Sequence, residues 1–124
     1  MLGSNNVCAC LAVKDMDAAV KFYGETLGLE KGMETPAGTF FKSGNLGVFI
    51  YPSQYAGTNQ ATAASWMVDD VEAEAKALKD KGVSFEQYDD LPGKREGDVH
   101  IIGDMKSAWF KDPDGNILNL VNGM

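Results

Sequence analysis

The sequence predicts an α+β fold built from two tandem βαβββ modules. An alternating apolar run meets an Asp at Leu11–Ala19, and the same pattern returns at Trp66–Glu74. After each Asp the apolar residues recur at helical spacing until a glycine, Gly28 or Gly82, stops the pattern. A duplicated unit of this kind is expected to form a pocket between its copies.

The length of the chain limits how the modules are organised. With 124 residues, of which 44% are hydrophobic, the chain can bury one ordinary core, and each half would be marginal alone. We therefore expect a single domain over residues 1–124. Its modules are predicted at about 5–52 and about 62–122, joined by a polar linker at about 53–61.

The first module is predicted to run from a strand into a helix and then into an antiparallel meander. Asp15 is a good N-cap for a helix of about three turns that ends at Gly28. Turn residues separate the three strand-like segments that follow the helix. The predicted strands are 6–13, Glu30–Thr35, Thr39–Lys42 and Leu46–Tyr51.

The second module repeats this order with Asp70 as the N-cap of a helix that ends before Gly82. Its predicted strands are Thr62–Val68, Val83–Tyr88, Lys106–Lys111 and Asn116–Val121. Leu91–Asp104 is a long connection for a compact domain, which favours a lid or a dimer-edge loop. Local backbone preferences account for the turn Asp112–Asn116 without a catalytic role, because Pro113 presets φ and Gly115 accepts the left-handed conformation.

Composition and charge exclude several classes of function. The net charge is −7, and most of the acidic excess lies in residues 59–124, so nucleic acid is not an expected partner. No apolar run approaches the roughly 18 residues of a membrane span, and no signal-type segment opens the chain. We expect a cytoplasmic protein with reduced Cys8 and Cys10, since neighbours at i and i+2 on a strand are poorly placed for a disulfide.

Three segments resemble motifs of one known group of proteins. They are Ala12–Tyr23 followed by Leu27–Leu29, Val68–Ala73, and Trp109–Asn116. On these segments and the repeat, the sequence resembles the vicinal oxygen chelate superfamily, the glyoxalase/bleomycin resistance protein/dioxygenase group. The resemblance implies two curved sheets that form a cup with helices packed outside, and a homodimer, because many relatives pair two chains.

The resemblance also implies where a divalent metal ion would be bound in metal-dependent members. Counting from the two Asp residues and from the turn glycines gives Cys8, Val48, Ala63 and Asn119 at the ligand positions. Val48 and Ala63 carry no donor atom, and the amide of Asn119 is neutral. We therefore predict no metal and no other cofactor, and the remaining alternative is a soft metal held by Cys8, Cys10 and His100.

Strand alternation assigns the predicted ligand pocket. One face of each strand should line the cup, while Leu11, Val13, Trp66 and Leu118 should pack under the helices. Tyr51, Tyr55 and Trp109 are the aromatic candidates near its mouth. The predicted pocket residues are Cys8, Cys10, Val48, Ile50, Ala63, Ser65, Met67, Trp109 and Asn119.

Two residues are candidates for catalysis. Cys8 could act as a nucleophile, although its apolar neighbours favour an inert thiol. His100, in a polar segment, could act as a general acid or base or could be a solvated loop residue.

The leading hypothesis is a metal-independent small-molecule-binding protein. The first alternative is an enzyme, a lyase, isomerase or dioxygenase that uses a metal or an acid–base group. The second alternative is a regulatory or scaffold module without a ligand.

Overall fold

The computed structural model describes residues 1–123 as two compact units, each built around one mixed β-sheet. One unit comprises Met1–Gln60 together with the turn Asp112–Asn116. The other comprises Ala61–Lys111 and the residues from Ile117 onward. Among the described residues, none of the helices combines the length and hydropathy that a bilayer crossing requires.

The first unit contains one helix and four strands. After a short 3-10 turn at Leu2–Ser4, its elements are β1 (Ala9–Val13), α1 (Met16–Lys21), β2 (Glu30–Thr35), β3 (Gly38–Ser43) and β4 (Leu46–Pro52). A π-helical turn at Phe22–Thr26 continues α1 towards Gly28. The sheet order is β1-β4-β3-β2, with β1 parallel to β4 and the other pairs antiparallel.

The second unit repeats this arrangement with additional strands. Its elements are β5 (Thr62–Met67), α2 (Val71–Asp80), β6 (Phe85–Glu86), β7 (Lys94–Glu96), β8 (Val99–Ile102), β9 (Met105–Lys111) and β10 (Ile117–Val121). The sheet order is β5-β10-β9-β8-β7, with β5 parallel to β10. The order β5-β10-β9-β8 matches β1-β4-β3-β2, which is the signature of the repeat.

Both helices begin and end as their sequences predict. The Ala18 N–H donates to Asp15 Oδ1 and the Ala73 N–H donates to Asp70 Oδ1, each at 3.0 Å, so both Asp residues are N-caps. Gly28 and Gly82 adopt φ of 76° and 94°, values that a side chain disfavours.

Each helix covers one face of its own sheet. In the first unit the Tyr23 ring packs against Phe41, with ring centroids 6.3 Å apart, which marks the helix side. In the second unit Lys106 of β9 forms a 2.9 Å ion pair with Glu72 of α2. The core residues on these two helix-side faces are Leu11, Val13, Phe41, Val48, Ile50, Ala108, Phe110, Leu118 and Leu120.

The segment expected to be a loop, Leu91–Asp104, contains the β7–β8 hairpin instead. The predicted strand Val83–Tyr88 is reduced to Phe85–Glu86. Both β6 and β8 lie along the same edge of β9, β6 beside Trp109 and Phe110 and β8 beside Met105–Ser107. Two short strands, β6 and β8, therefore share the position beside β9. The chain between them forms the additional strand β7, which pairs with β8.

Candidate functional site

The sheet of the second unit has a second face, on the side away from α2, which we call its helix-free face. Pairing register places Ser65 of β5, Asn119 of β10 and Trp109 of β9 directly beside one another on this face. Ser107 and His100 are paired on the next row, towards the outer strands. Side chains paired across strands in this way lie about 5 Å apart at Cβ, which is close enough to contact one ligand.

The first row combines three different chemical groups. Asn119 is only 5% exposed, and its Nδ2 donates to the Ala108 carbonyl at 3.3 Å. Trp109 is half-buried, and its Nε1 donates to Thr62 Oγ1 at 3.0 Å. Ser65 is exposed. The row therefore offers a hydroxyl and an amide beside an indole ring that is held in one orientation.

His100 lies on β8 and is 3% exposed, so the expected loop position is corrected to a buried strand position. Its ring meets Trp109 edge to face, with centroids 5.0 Å apart. Its Nε2 accepts a 2.9 Å hydrogen bond from the Tyr88 N–H. Tyr88 lies just after β6, where the chain leaves its pairing with β9. We call β6 and β8, which follow one another along this edge of β9, the interrupted strand. The histidine therefore satisfies a backbone donor at the interruption.

This hydrogen bond decides which histidine nitrogen carries the proton. A backbone N–H only donates, so Nε2 is the unprotonated nitrogen and the neutral ring carries its proton on Nδ1. The Tyr88 N–H therefore occupies the lone pair of Nε2. Nδ1 is therefore the ring nitrogen without a hydrogen-bond partner among the described residues.

The remaining pocket residues of the second module have different exposures. Met67 shares the face of Ser65 and is 66% exposed at the end of β5. Ala63 is half-buried beside a register shift between β5 and β10. Met67 therefore adds exposed apolar surface to the helix-free face, whereas the register shift takes Ala63 out of the pairing with β10.

In the first unit the pairing register corrects two of the four predicted pocket residues. Cys10 of β1 is paired with Phe49 of β4, whereas Leu11 is paired with Ile50. Val48 and Ile50 therefore lie on the helix side of the sheet, where both are buried, and the cysteine side carries Phe49 instead. Tyr51, which stacks on Phe49 with centroids 6.3 Å apart, lies on the cysteine side as well.

The length of one turn explains this error. In the second unit Ser65 is paired with Asn119, and the equivalent pair in the first unit is Cys10 with Phe49. The turn between β3 and β4 is a two-residue hairpin, because Ser43 is paired with Leu46, whereas the turn between β9 and β10 spans residues 112–116. Asn119 lies four residues after the turn glycine Gly115, and the same count from Gly44 gives Val48. The residue equivalent to Asn119 is Phe49, one position later.

Cys8 and Cys10 are both exposed free thiols. The Cys8 Sγ donates to the carbonyl oxygens of Ala9 at 3.3 Å and Gly47 at 3.5 Å. Partial desolvation, followed by the charge of Cys10, raises the pKa of the Cys8 thiol. A thiol with a raised pKa is a weaker nucleophile at neutral pH, because less of it is thiolate.

The residues at the family's metal-ligand positions do not fit a divalent ion. Register replaces Val48 by Phe49, so two of the four positions, Phe49 and Ala63, have no donor atom. Asn119 offers an amide that is already bonded to a backbone carbonyl. Across residues 1–123, no three His, Cys, Asp or Glu side chains are grouped as a metal site requires.

Sequence reasoning missed Phe49 and Tyr88 as members of these faces. Phe49 could have been found by counting from Asp15 and Asp70 to Cys10 and Ser65 and then pairing the last strands in the same register. Tyr88 had no such signal, because its contact with His100 joins residues on either side of the β7 strand.

Comparisons with known proteins agree with this architecture. The sequence profile of the Glyoxalase/Bleomycin resistance protein/Dioxygenase superfamily matches residues 6–120. The chain belongs to this superfamily, which confirms the family and the α+β fold class predicted from the sequence. A search of curated proteins gave no significant match.

Solved structures with the same fold include three bacterial proteins. A lactoylglutathione lyase from Agrobacterium tumefaciens is 22% identical, with a TM-score of 0.71 over 97% of this chain and 94% of its own. A glyoxalase family protein from Enterococcus faecalis is 20% identical, with a TM-score of 0.76 over 98% and 100%. A fosfomycin resistance protein from Listeria monocytogenes is 18% identical, with a TM-score of 0.73 over 98% and 94%.

Proposed function

We propose that this protein binds a small organic molecule on the helix-free face of its second module and that it does so without a metal ion. The observation that carries the proposal is the row of Ser65, Asn119 and Trp109, adjacent in register on three strands. A hydroxyl, an amide and an aromatic ring beside apolar surface have the composition of a small-molecule site.

The similar structures support a small molecule as the partner. Two of them are named for small compounds, a lactoylglutathione lyase and a fosfomycin resistance protein. At identities of 22% and 18% they share the fold with this chain, and the choice of ligand depends on its own side chains.

The donor chemistry supports binding without a metal. Divalent ions are held in proteins by imidazole, thiolate and carboxylate groups, and the family's ligand positions here are occupied by a thiol, an aromatic ring, a methyl group and an amide. Without an ion, the available chemistry is hydrogen bonding and ring contact, which are binding interactions.

Replacing Ser65 by Trp tests the position of the site. Ser65 is exposed, so a larger side chain is tolerated there, but the indole would cover Asn119. A thermal-shift screen of small organic compounds should find ligands that raise the melting temperature of the wild type by mass action. Ser65→Trp should abolish that increase and change the unliganded melting temperature little.

Ser84→Trp is the matched control, because Ser84 is also exposed in the second unit but lies outside its strands. This variant should keep the ligand response. A full response in Ser65→Trp would contradict the assigned face. Metal analysis of the purified protein should find no stoichiometric divalent ion, and an ion that is lost on replacement of Asn119 or Cys8 would contradict metal-free binding.

A further inference from the structure

One polar atom of the helix-free face has no hydrogen-bond partner in the part of the chain that the structure describes. His100 is 97% buried, and within residues 1–123 no acceptor lies in reach of its Nδ1. Leaving a buried polar group unsatisfied is costly, because the group has given up its hydrogen bonds to water and gained none in return. Native proteins therefore seldom keep such a group without a use for it.

The hydrogen bond from Tyr88 makes this atom a donor. Nε2 holds the lone pair that accepts the Tyr88 N–H, so Nδ1 carries the hydrogen of the neutral ring. A ligand group that satisfies Nδ1 must therefore be a hydrogen-bond acceptor, such as a carbonyl oxygen.

Two aromatic rings contact the His100 ring. Trp109 and Tyr88 meet edge to face with centroids 5.4 Å apart, and the His100 ring lies 5.0 Å from Trp109 and 5.9 Å from Tyr88. Rings in such clusters prefer to contact further aromatic groups edge to face or offset. The surroundings favour a ligand that contains an aromatic ring.

The charges nearby favour a ligand without a net charge. The amide of Asn119 and the hydroxyl of Ser65 are neutral donors. Five cations of the second unit are already paired with carboxylates: Lys79 with Asp98, Lys94 with Glu96, Arg95 with Asp89, Lys106 with Glu72 and Lys111 with Glu86. An anionic ligand would find no free positive charge among these five to offset its desolvation.

We propose that the Nδ1–H of His100 donates a hydrogen bond to the carbonyl oxygen of an uncharged aromatic ligand whose ring lies against Trp109. This inference rests on the proposed function and names its ligand class. In this proposal His100 acts in binding and specificity. Its Nε2 accepts the hydrogen bond from the Tyr88 N–H, and its Nδ1–H donates to the ligand.

The first test uses the fact that His100 is the single histidine of the chain. With ¹⁵N-labelled histidine, NMR in mildly alkaline buffer should show a protonated Nδ1 and an unprotonated Nε2. Acetophenone, an aromatic ketone, should shift the Nδ1 signal. Ethylbenzene, which has nearly the same shape without the oxygen, should leave the signal in place. A protonated Nε2, or an Nδ1 signal that acetophenone leaves unmoved up to its solubility limit, overturns the proposal.

The second test compares affinities in His100→Gln. The glutamine Oε1 can replace Nε2 as the acceptor for Tyr88, and the amide N–H groups of the glutamine then lie at a different position from the Nδ1–H of the imidazole. The wild type should bind acetophenone about tenfold more tightly than ethylbenzene, as one buried hydrogen bond predicts. The variant should bind both equally. Equal binding by the wild type, or a tenfold preference kept by His100→Gln, overturns the proposal.

The two proposals fail in different ways. If other compounds stabilise the wild type and Ser65→Trp blocks them, while acetophenone has no effect, only the ligand class and the role of His100 are wrong. If no compound of the screen stabilises the protein, the binding function itself is wrong.

Discussion

Asp112 is a buried carboxylate whose hydrogen bonds tie the turn after β9 into the first unit. Its Oδ2 accepts from the Tyr23 hydroxyl at 2.7 Å and from Asn116 Nδ2 at 2.8 Å. Its Oδ1 accepts from the N–H groups of Asp114 and Asn116. Asn116 Nδ2 also donates to the Ala12 carbonyl of β1 at 2.7 Å. The turn therefore has tertiary partners besides its local geometry, which gives the motif a structural role.

Replacing Tyr23 by Phe should reduce the free energy of unfolding by about 1–3 kcal/mol, because it removes one donor from a buried carboxylate. Chemical denaturation measures the change. Tyr55→Phe is the matched control, since Tyr55 is 69% exposed and should lose less than about 0.5 kcal/mol. Equal losses in the two variants would contradict the importance of the Tyr23–Asp112 bond.

The same residue predicts a dependence on alkaline pH. Burial, followed by the charge of Asp112, raises the pKa of Tyr23 far above its usual value. A raised folded-state pKa gives stability that is complete below the unfolded pKa of about 10 and is lost as the pH rises above it. The unfolding free energy of the wild type should fall in that range, and Tyr23→Phe should fall less steeply. Parallel slopes would contradict this assignment.

The strands of the first sheet are packed closely where glycines replace side chains on the face away from α1. A Cβ on Gly38 would lie 2.9 Å from Phe49 Cζ and would also strike the Ile50 carbonyl oxygen. A Cβ on Gly47 would lie 2.6 Å from Phe40 Cζ. The aromatic rings of this face therefore lie over glycines, which the alternating pattern of β3 and β4 does not indicate.

Gly38→Ala tests this packing. Because the backbone oxygen of Ile50 has little freedom to move, the added methyl should reduce the free energy of unfolding by about 1–3 kcal/mol. Gly3→Ala is the control, since no atom lies within 4 Å of a Cβ built there. Denaturation curves of the two variants that coincide would contradict the placement of Phe49 over β3.

The elements themselves were largely predictable, and the interrupted strand was not. Alternation and caps identified β1 to β5, both helices, β9 and β10 with small errors at their ends, because these signals are local. The β7–β8 hairpin was missed because polar and glycine residues dominate 91–104, and its pairing depends on β9. Without that neighbour, Val99–Ile102 reads as part of a loop.

At the scale of the whole molecule, the family resemblance leads us to propose that two copies of the chain associate. Large apolar side chains remain exposed on the described surface, among them Met33 at 71% and Met67 at 66%. Association removes such surface from water. Light scattering should give twice the chain mass of 13.3 kDa at micromolar concentrations. A mass of 13.3 kDa throughout a dilution series would contradict the dimer.

The sequence by itself determined the repeat, the capped helices, most strands and the superfamily. Each of these depends on short-range periodicity and on motifs that a single strand or helix carries. It also identified Ser65, Trp109 and Asn119 as residues of one face, because the register shift between β5 and β10 lies at Ala63, before these residues, and alternation holds from there on.

Only the tertiary structure decided the pairing of strands and the environment of His100. Register is set between strands distant in the chain, and a change of one residue in a turn moves side chains to the other face, as it does for Val48 and Phe49. His100 lies beside Ser107 and Trp109 because β8 pairs with β9, and the Tyr88 N–H selects its tautomer from the far side of β7. These contacts join residues that no local pattern connects.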